Sequence, residues 1–220
     1  MTLFVHAYGA YASYVEPPWR QADYNTYKLV KALKGEPFNG YATIRGQDGQ
    51  RRRITADNRP PAYETFAAWA AERLRELDLG PVVLVPVPSS SCTTHEAQTC
   101  PRAMAEAVQA LMPATVSVGP WLRFHEPQPR SHEGGGRNQA VIQAALRCSD
   151  QFRAGRIVLV DDVKTTGAHM LACAETLRRH GAEVQTALVA GKAVWAPVDD
   201  PFTVEPEDLE APLGDLSLYL

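Results

Sequence analysis

The stretch Arg156-Ile157-Val158-Leu159-Val160-Asp161-Asp162-Val163-Lys164-Thr165-Thr166-Gly167-Ala168-His169 decides how this chain folds. Ile157 to Val160 is an unbroken apolar run of strand length, the pattern of a strand covered on both faces. Two acids stand at its carboxyl end, and a short loop of hydroxyls and glycine follows. From Gly167 to Arg179 the pattern is helical, with Met170, Ala174 and Leu177 on one face and Gly181 as the stop. Val184–Val189 reads as the next strand. Strand, helix and strand in that order make a βαβ unit, so the spacing predicts an α/β fold with a parallel sheet and a right-handed crossover.

The same stretch carries chemistry. Ligands of open α/β sheets bind beyond the carboxyl ends of the strands. A helix start offers free N–H groups and a positive dipole end, which favour a phosphate. Thr165 and Thr166 add hydroxyl donors, and Gly167 lets the backbone come close to an anion. Two carboxylates beside a phosphate would repel it directly. They fit if they face sugar hydroxyls, which donate to them, or a magnesium ion. The segment thus describes a pocket for a phosphorylated sugar.

Working outward, Val82-Val83-Leu84-Val85 is a second covered strand, closed by Pro86 and Pro88. Ser89 to Thr99 is a polar loop, and Pro101 opens a helix with Met104, Val108 and Leu111 as its stripe, ended by Pro113. Pro60-Pro61 precedes a helix with Tyr63, Phe66, Ala67, Ala70, Leu74 and Leu77 at helical steps. A further strand is expected around Val116 and Val118. Thr26 to Lys34 reads as a short helix stopped by Gly35. Tyr41–Arg45 and Arg51–Thr55 flank a hairpin turn at Gln47-Asp48-Gly49. Arg51-Arg52-Arg53 is either the solvated face of that hairpin or an anion patch. Phe4 to Val15 reads as an irregular strand pair turning near Gly9. Tyr8, Tyr11 and Tyr14 are either core or a platform for stacking on a base. Residues 123–139, with two prolines, three glycines in a row and almost nothing to bury, read as a long mobile loop and a candidate lid carrying Arg130, His132 and Arg137.

Composition sets the bounds. The chain has 220 residues, with 22 Lys+Arg against 25 Asp+Glu, a net charge of -3. Seven of the acids, and no Lys or Arg, lie in residues 196–220, leaving 22 bases and 18 acids in residues 1–195. A mildly basic body suits a small polyanion and argues against a dedicated nucleic-acid binder. No apolar run approaches the ~20 residues of a membrane span. The N-terminal sequence has no export signal, so a cytoplasmic location is expected. Cys92, Cys100, Cys148 and Cys173 have no zinc-site spacing and are expected to be reduced thiols.

The apolar strand followed by Asp-Asp-Val-x-Thr-Thr-Gly-Ala resembles the phosphoribosyl-pyrophosphate (PRPP) motif of type I phosphoribosyltransferases. A response-regulator acid pair is the alternative, but it belongs near the first strand of its domain, and here the pair comes late. The resemblance extends towards the competence-protein ComF branch. Pro86-Val87-Pro88 ends an apolar strand as in that branch. Pro127-Gln128, Ser131 and Arg137-Asn138 are looser matches, and residues 24–35 are like the branch's helix ending in Leu-Lys. It spans about residues 24–191.

The resemblance implies a Rossmann-like parallel sheet with an N-terminal α+β hood over residues 1–60 and a phosphoribosyltransferase core over 61–195. Residues 196–220, acidic and carrying Pro197, Pro201, Pro206 and Pro212, read as a tail or loose wrap that lies beyond the PRPP unit and is expected to be dispensable for PRPP binding. It implies transfer of the phosphoribosyl group to a nitrogen acceptor, with release of pyrophosphate and Mg²⁺ as cofactor. Its partners would be PRPP and a small-molecule acceptor, and it allows a homodimer. Asp161 and Asp162 would hold the ribose hydroxyls, Thr165, Thr166, Gly167, Ala168 and His169 the 5′-phosphate, and Ser89 and Ser90 the pyrophosphate. Lys164 would either neutralise a phosphate or point to solvent, and Arg137 would act in catalysis from the lid. The chain departs from the family in three ways. It lacks the cysteine-rich zinc ribbon common in ComF relatives. The loop after Pro88 has no Lys or Arg, with Arg102 the nearest cation. His169 stands where Thr is usual, as a ring donor or as a cap. A non-catalytic PRPP- or nucleotide-binding regulator, or a DNA-uptake accessory protein, is the alternative function.

Overall fold

The computed structural model describes residues 2–46, 49–128 and 138–211. Along the chain lie β1 (Phe4–Ala12), α1 (Gln21–Lys34), β2 (Ala42–Arg45), β3 (Arg51–Ile54), α2 (Pro60–Glu76), β4 (Val82–Pro86), α3 (Cys100–Leu111), β5 (Val116–Val118), β6 (Leu122–Phe124), α4 (Gln139–Ala145), β7 (Leu146–Cys148), β8 (Arg156–Lys164), α5 (Ala168–Arg179), β9 (Glu183–Val194) and β10 (Glu207–Asp208). Six strands form the main sheet in the order β10-β1-β9-β8-β4-β5. Every pairing in it is parallel except β10 with β1. The α/β architecture with a central parallel sheet is therefore the one expected.

The sheet has a core on each face. Val158 and Val160 of β8 join Leu84, Phe66, Met104 and Val108 on the side of α2 and α3. Ile157 and Leu159 join Met170, Cys173 and Leu177 on the side of α5. Burial on both faces explains the unbroken apolar run, since Ile157 to Val160 are all buried. The chain leaves β4 for β5 at one edge and leaves β8 for β9 towards the other. The neighbours β4 and β8 therefore flank the switch point, where a crevice opens beyond their carboxyl ends.

Several expectations change. Phe4 to Ala12 is one continuous strand inside the main sheet, not a strand pair. Gly9 sits mid-strand, where an added Cβ would lie 2.8 Å from a Thr26 methyl and 2.9 Å from the Pro201 carbonyl. The glycine thus serves close approach, not a turn. Tyr8 and Tyr14 are buried, and Tyr11 stacks on Tyr27 at 5.4 Å. The helix foreseen from Thr26 begins five residues earlier, at Gln21. It ends as expected at Gly35 in the left-handed region, φ 71°, and Arg59 donates to its last carbonyls, Ala32 and Leu33, at 2.9 and 2.7 Å. The ends of the presumed loop 123–139 are structured. β6 pairs antiparallel with β7, and Asn138 caps α4 by accepting the Ala140 N–H at 2.9 Å. Arg130, Ser131, His132 and Arg137 lie outside the described residues.

The segment after Trp195 is no loose wrap up to residue 211. The Pro201 carbonyl accepts the Ala10 N–H at 2.7 Å, and Phe202 meets Tyr8 edge-on at 5.9 Å. β10 then pairs with β1, Phe4 opposite Asp208.

Candidate functional site

β8 runs past the end of β4 by four residues, because its end finds a partner in β9: Asp161 opposite Val189, Val163 opposite Gly191 and Lys164 opposite Lys192. The acid pair therefore sits on hydrogen-bonded strand. Asp161 Oδ1 accepts the Asp162 N–H at 2.8 Å. Both side chains are half-buried. Burial and then the neighbouring carboxylate of Asp162 push the Asp161 pKa well above the ordinary carboxylate range. Burial also raises that of Asp162, against the pull of Lys34. Two partly desolvated carboxylates side by side are costly unless something donates to them.

Lys34, at the end of α1, is the cation nearest this pair in effect. Burial opposes its charge, but Asp162 and then Glu36, bonded at 3.1 Å, hold its pKa above the usual lysine value. Cys100, opening α3, also borders the acids. Burial, then Asp162 and Asp161, push its thiol strongly up. Cys173 of α5, fully buried, is raised well up by burial and by Asp161. Both sulfurs are neutral thiols at physiological pH. Sequence reading assigned Lys34 and Cys100 no part in the site. Their elements were foreseen, but only the packing of α1 and α3 onto β8 brings them to the acids.

After β8 come Thr165 and Thr166, both exposed, and then Gly167, the N-cap of α5, at φ 82°. That backbone region suits glycine. Leu209 Cδ1 lies 2.8 Å from where a Cβ would be. A glycine cap brings no side chain to take the first amides of the helix, and Thr166 Oγ1 reaches the Ala168 N–H at 3.4 Å. The His169 ring is turned inward on Phe124, with centroids 5.4 Å apart, and its Nε2 is buried with no hydrogen-bond partner among the described residues. Burial lowers its pKa to about 4, so the ring is neutral at pH 7.

Lys164 is buried and bonded to Glu207 at 2.5 Å, and Glu207 also holds Lys192 at 2.7 Å. Its ammonium thus points neither to solvent nor, as it stands, to an open phosphate site.

The loop after β4 emerges beside Asp161, since the Val87 N–H donates to the Val160 carbonyl at 2.9 Å. The exposed Ser89 hydroxyl is 3.4 Å from that of Ser91, and the Ser90 carbonyl accepts the Gln128 N–H at 2.7 Å. Arg102 is engaged by Glu106 at 2.8 Å and by the His95 carbonyl at 3.3 Å. Sheet topology therefore brings Ser89 and Ser90, the acid pair and the loop 165–167 to the same end of the sheet. A separate cleft of about 640 Å³ lies between α1 and the β2–β3 hairpin, lined by Lys28, Arg45 and Arg51, and contains none of these residues. No group of three or more His, Cys, Asp or Glu side chains among the described residues could hold a metal by itself. No helix of the described residues is long and apolar enough to cross a membrane.

No protein-family model matches the chain, and no curated protein matches it. Solved structures do resemble it. Orotate phosphoribosyltransferase from Aeropyrum pernix is 20% identical with a TM-score of 0.39, over 74% of this chain and 81% of that one. Purine phosphoribosyltransferase from Pyrococcus horikoshii is 15% identical with a TM-score of 0.35, over 64% and 91%. Adenine phosphoribosyltransferase from Thermoanaerobacter pseudethanolicus is 13% identical with a TM-score of 0.36, over 70% and 95%. These structural neighbours are phosphoribosyltransferases. The likeness is one of backbone and assigns no chemistry to a side chain.

Proposed function

We propose that the protein is a phosphoribosyltransferase of the ComF-like kind that binds PRPP at the carboxyl end of β8. The observation that carries the reading is the half-buried pair Asp161–Asp162, followed at Thr165 by a hydroxyl loop and at Gly167 by a glycine-capped helix start. The ribose 2′- and 3′-hydroxyls donate to the carboxylates, adding hydroxyl donors to the desolvated pair beyond the backbone N–H groups that already reach it. The 5′-phosphate sits against Thr165, Thr166 and the amides of Gly167, Ala168 and His169, with the field of α5 behind it. The neutral His169 contributes its backbone and not a charge.

Hard oxygen donors suit Mg²⁺, and since no group of three metal-ligating side chains stands among the described residues, the ion would be held chiefly by the substrate's own oxygens. When bound, Mg²⁺ would offset charge on the departing pyrophosphate. The acids stabilise positive charge that develops at the sugar. A nitrogen nucleophile bonds to C1 as the C1–O bond to pyrophosphate breaks, and the proton on nitrogen leaves to solvent or a nearby base. Ser89 and Ser90 offer the leaving group neutral donors only. With Arg102 occupied, that loop favours a second reading, a module that binds PRPP without turning it over. Incubation with Mg-PRPP and a panel of nucleobases and amines separates the two. PRPP-dependent pyrophosphate release supports the transferase, and saturable binding with no release across the panel supports the binder.

A further inference from the structure

The segment 198–211 carries three contacts that bear on one unit of structure, the end of β8, the loop 165–167 and α5. Glu207 bridges Lys164, the last residue of β8, and Lys192 of β9, at 2.5 and 2.7 Å. Leu209 lies against Gly167 on the side where a Cβ would project. Glu210 takes Arg178, in the last turn of α5, through both oxygens at 2.9 and 3.0 Å, while Arg178 also donates to the Val184 carbonyl. The segment is anchored independently. The Leu209 N–H donates to the Leu3 carbonyl at 3.0 Å, and Arg20 donates to the Asp199 carbonyl at 2.9 Å.

From these contacts we infer that residues 207–210 form a clamp that positions the loop 165–167, with Glu207 and Leu209 as its positioning residues. The inference rests on the proposed PRPP site for its functional consequence, but its structural half stands without it. The lysine before the loop and the glycine that ends it are both held by this segment. Between them lie only Thr165 and Thr166, both exposed, with Thr166 Oγ1 accepting the Ala168 N–H at 3.4 Å. Burial works against the charge on Glu207, but hydrogen bonds from Lys164 and Lys192 hold its pKa below the usual glutamate value, as a bridging carboxylate requires. A phosphate cradle made of backbone amides works only if the amides are held in place before the ligand arrives. This replaces the expectation that residues 197–220 are dispensable for PRPP binding.

The test uses full-length Glu207→Ala, Glu207→Gln, Glu207→Asp and Leu209→Ala, with Glu205→Gln as a control that removes an equal charge from an exposed neighbour. Hydrogen exchange is read at the amides of residues 165–170 and of β4 in the ligand-free protein, and Mg-PRPP affinity is read by calorimetry. The clamp predicts exchange faster by on the order of tenfold at 165–170 with β4 unchanged in Glu207→Ala and Leu209→Ala. It predicts PRPP affinity weaker by on the order of tenfold in the same variants. Glu207→Asp, whose carboxylate the flexible lysines can follow, keeps most of the protection, Glu207→Gln loses it, and Glu205→Gln behaves as wild type. Unchanged exchange at 165–170, or exchange raised equally there and in β4, overturns the clamp. If the wild type binds no PRPP, the exchange result still decides the clamp, and it is the functional reading that falls.

Discussion

Asp161 turns its carboxylate back to accept the N–H of Asp162, its neighbour in sequence, at 2.8 Å, so the two acids of the site share one hydrogen bond and one partly buried space. Lys34 and backbone N–H groups ease their charges, but burial outweighs both and leaves the two pKa values raised. Such an arrangement costs folding free energy and is retained where a ligand uses it.

Removing the charge should therefore stabilise the fold. In Asp161→Asn the amide oxygen keeps the bond to the Asp162 N–H while the carboxylate charge is lost. The expected gain at pH 7 is on the order of 1 kcal/mol, or about 2–4 °C in Tm for a chain of this size. The sign follows from linkage. The folded pKa values lie above the ordinary 3.8, so the folded state binds more protons and the wild type loses stability as pH rises from about that value through the folded pKa. The difference between wild type and variant should vanish below this window and be full above it. Thermal melts from pH 3 to pH 8 measure it, and a destabilised variant at pH 7 would refute the desolvated pair.

Gly167→Ala meets two obstacles, a φ of 82° and the side chain of Leu209. The backbone part alone costs about 1–2 kcal/mol. Denaturant melts of Gly167→Ala, Leu209→Ala and the double variant separate the two, because the double variant recovers the steric part and keeps the backbone part. Strict additivity of the single effects would show that Leu209 does not press on residue 167.

His169 and His6 both have pKa values lowered chiefly by burial, His169 to about 4. The unfolded chain binds protons to them near 6.5, so their contribution to stability is whole above that pH and is lost as pH falls through the folded values, for His169 about 4. Imidazole resonances of His169 followed by NMR should show the neutral ring throughout pH 6–8. PRPP affinity should show no step from this residue in that range.

Cys100 is held as a thiol by burial and then by Asp162 and Asp161. Its alkylation at pH 8 should be slow, and faster in Asp161→Asn/Asp162→Asn, where the two opposing charges are gone. Mass spectrometry of the labelled peptide reads both rates.

The unit from Arg156 to Arg179 was legible because each of its signals is local: a strand buried on both faces, an acid pair at its end and glycines at both ends of the helix. What escaped was set by distant partners. β8 and β9 run on because Val163 and Lys164 pair with Gly191 and Lys192, residues that no apolar pattern marks as strand. Gly9 looked like a turn, yet the approach of Thr26 and Pro201 is what excludes a side chain there. Lys164 stayed undecided between phosphate and solvent because its partner, Glu207, lies 43 residues away in a proline-rich stretch with little to bury. Acid-rich composition after Trp195 hid a segment in which Glu207 and Glu210 each have a defined cation partner.

The most direct measurement of the central claim is calorimetric titration of Mg-PRPP into the wild type and into Asp161→Asn/Asp162→Asn, with thermal melts to establish that both are folded. We predict saturable binding by the wild type and its loss in a double variant that melts at or above the wild-type temperature. Equal binding by the two proteins, or no binding by the folded wild type, would contradict a PRPP site at the end of β8.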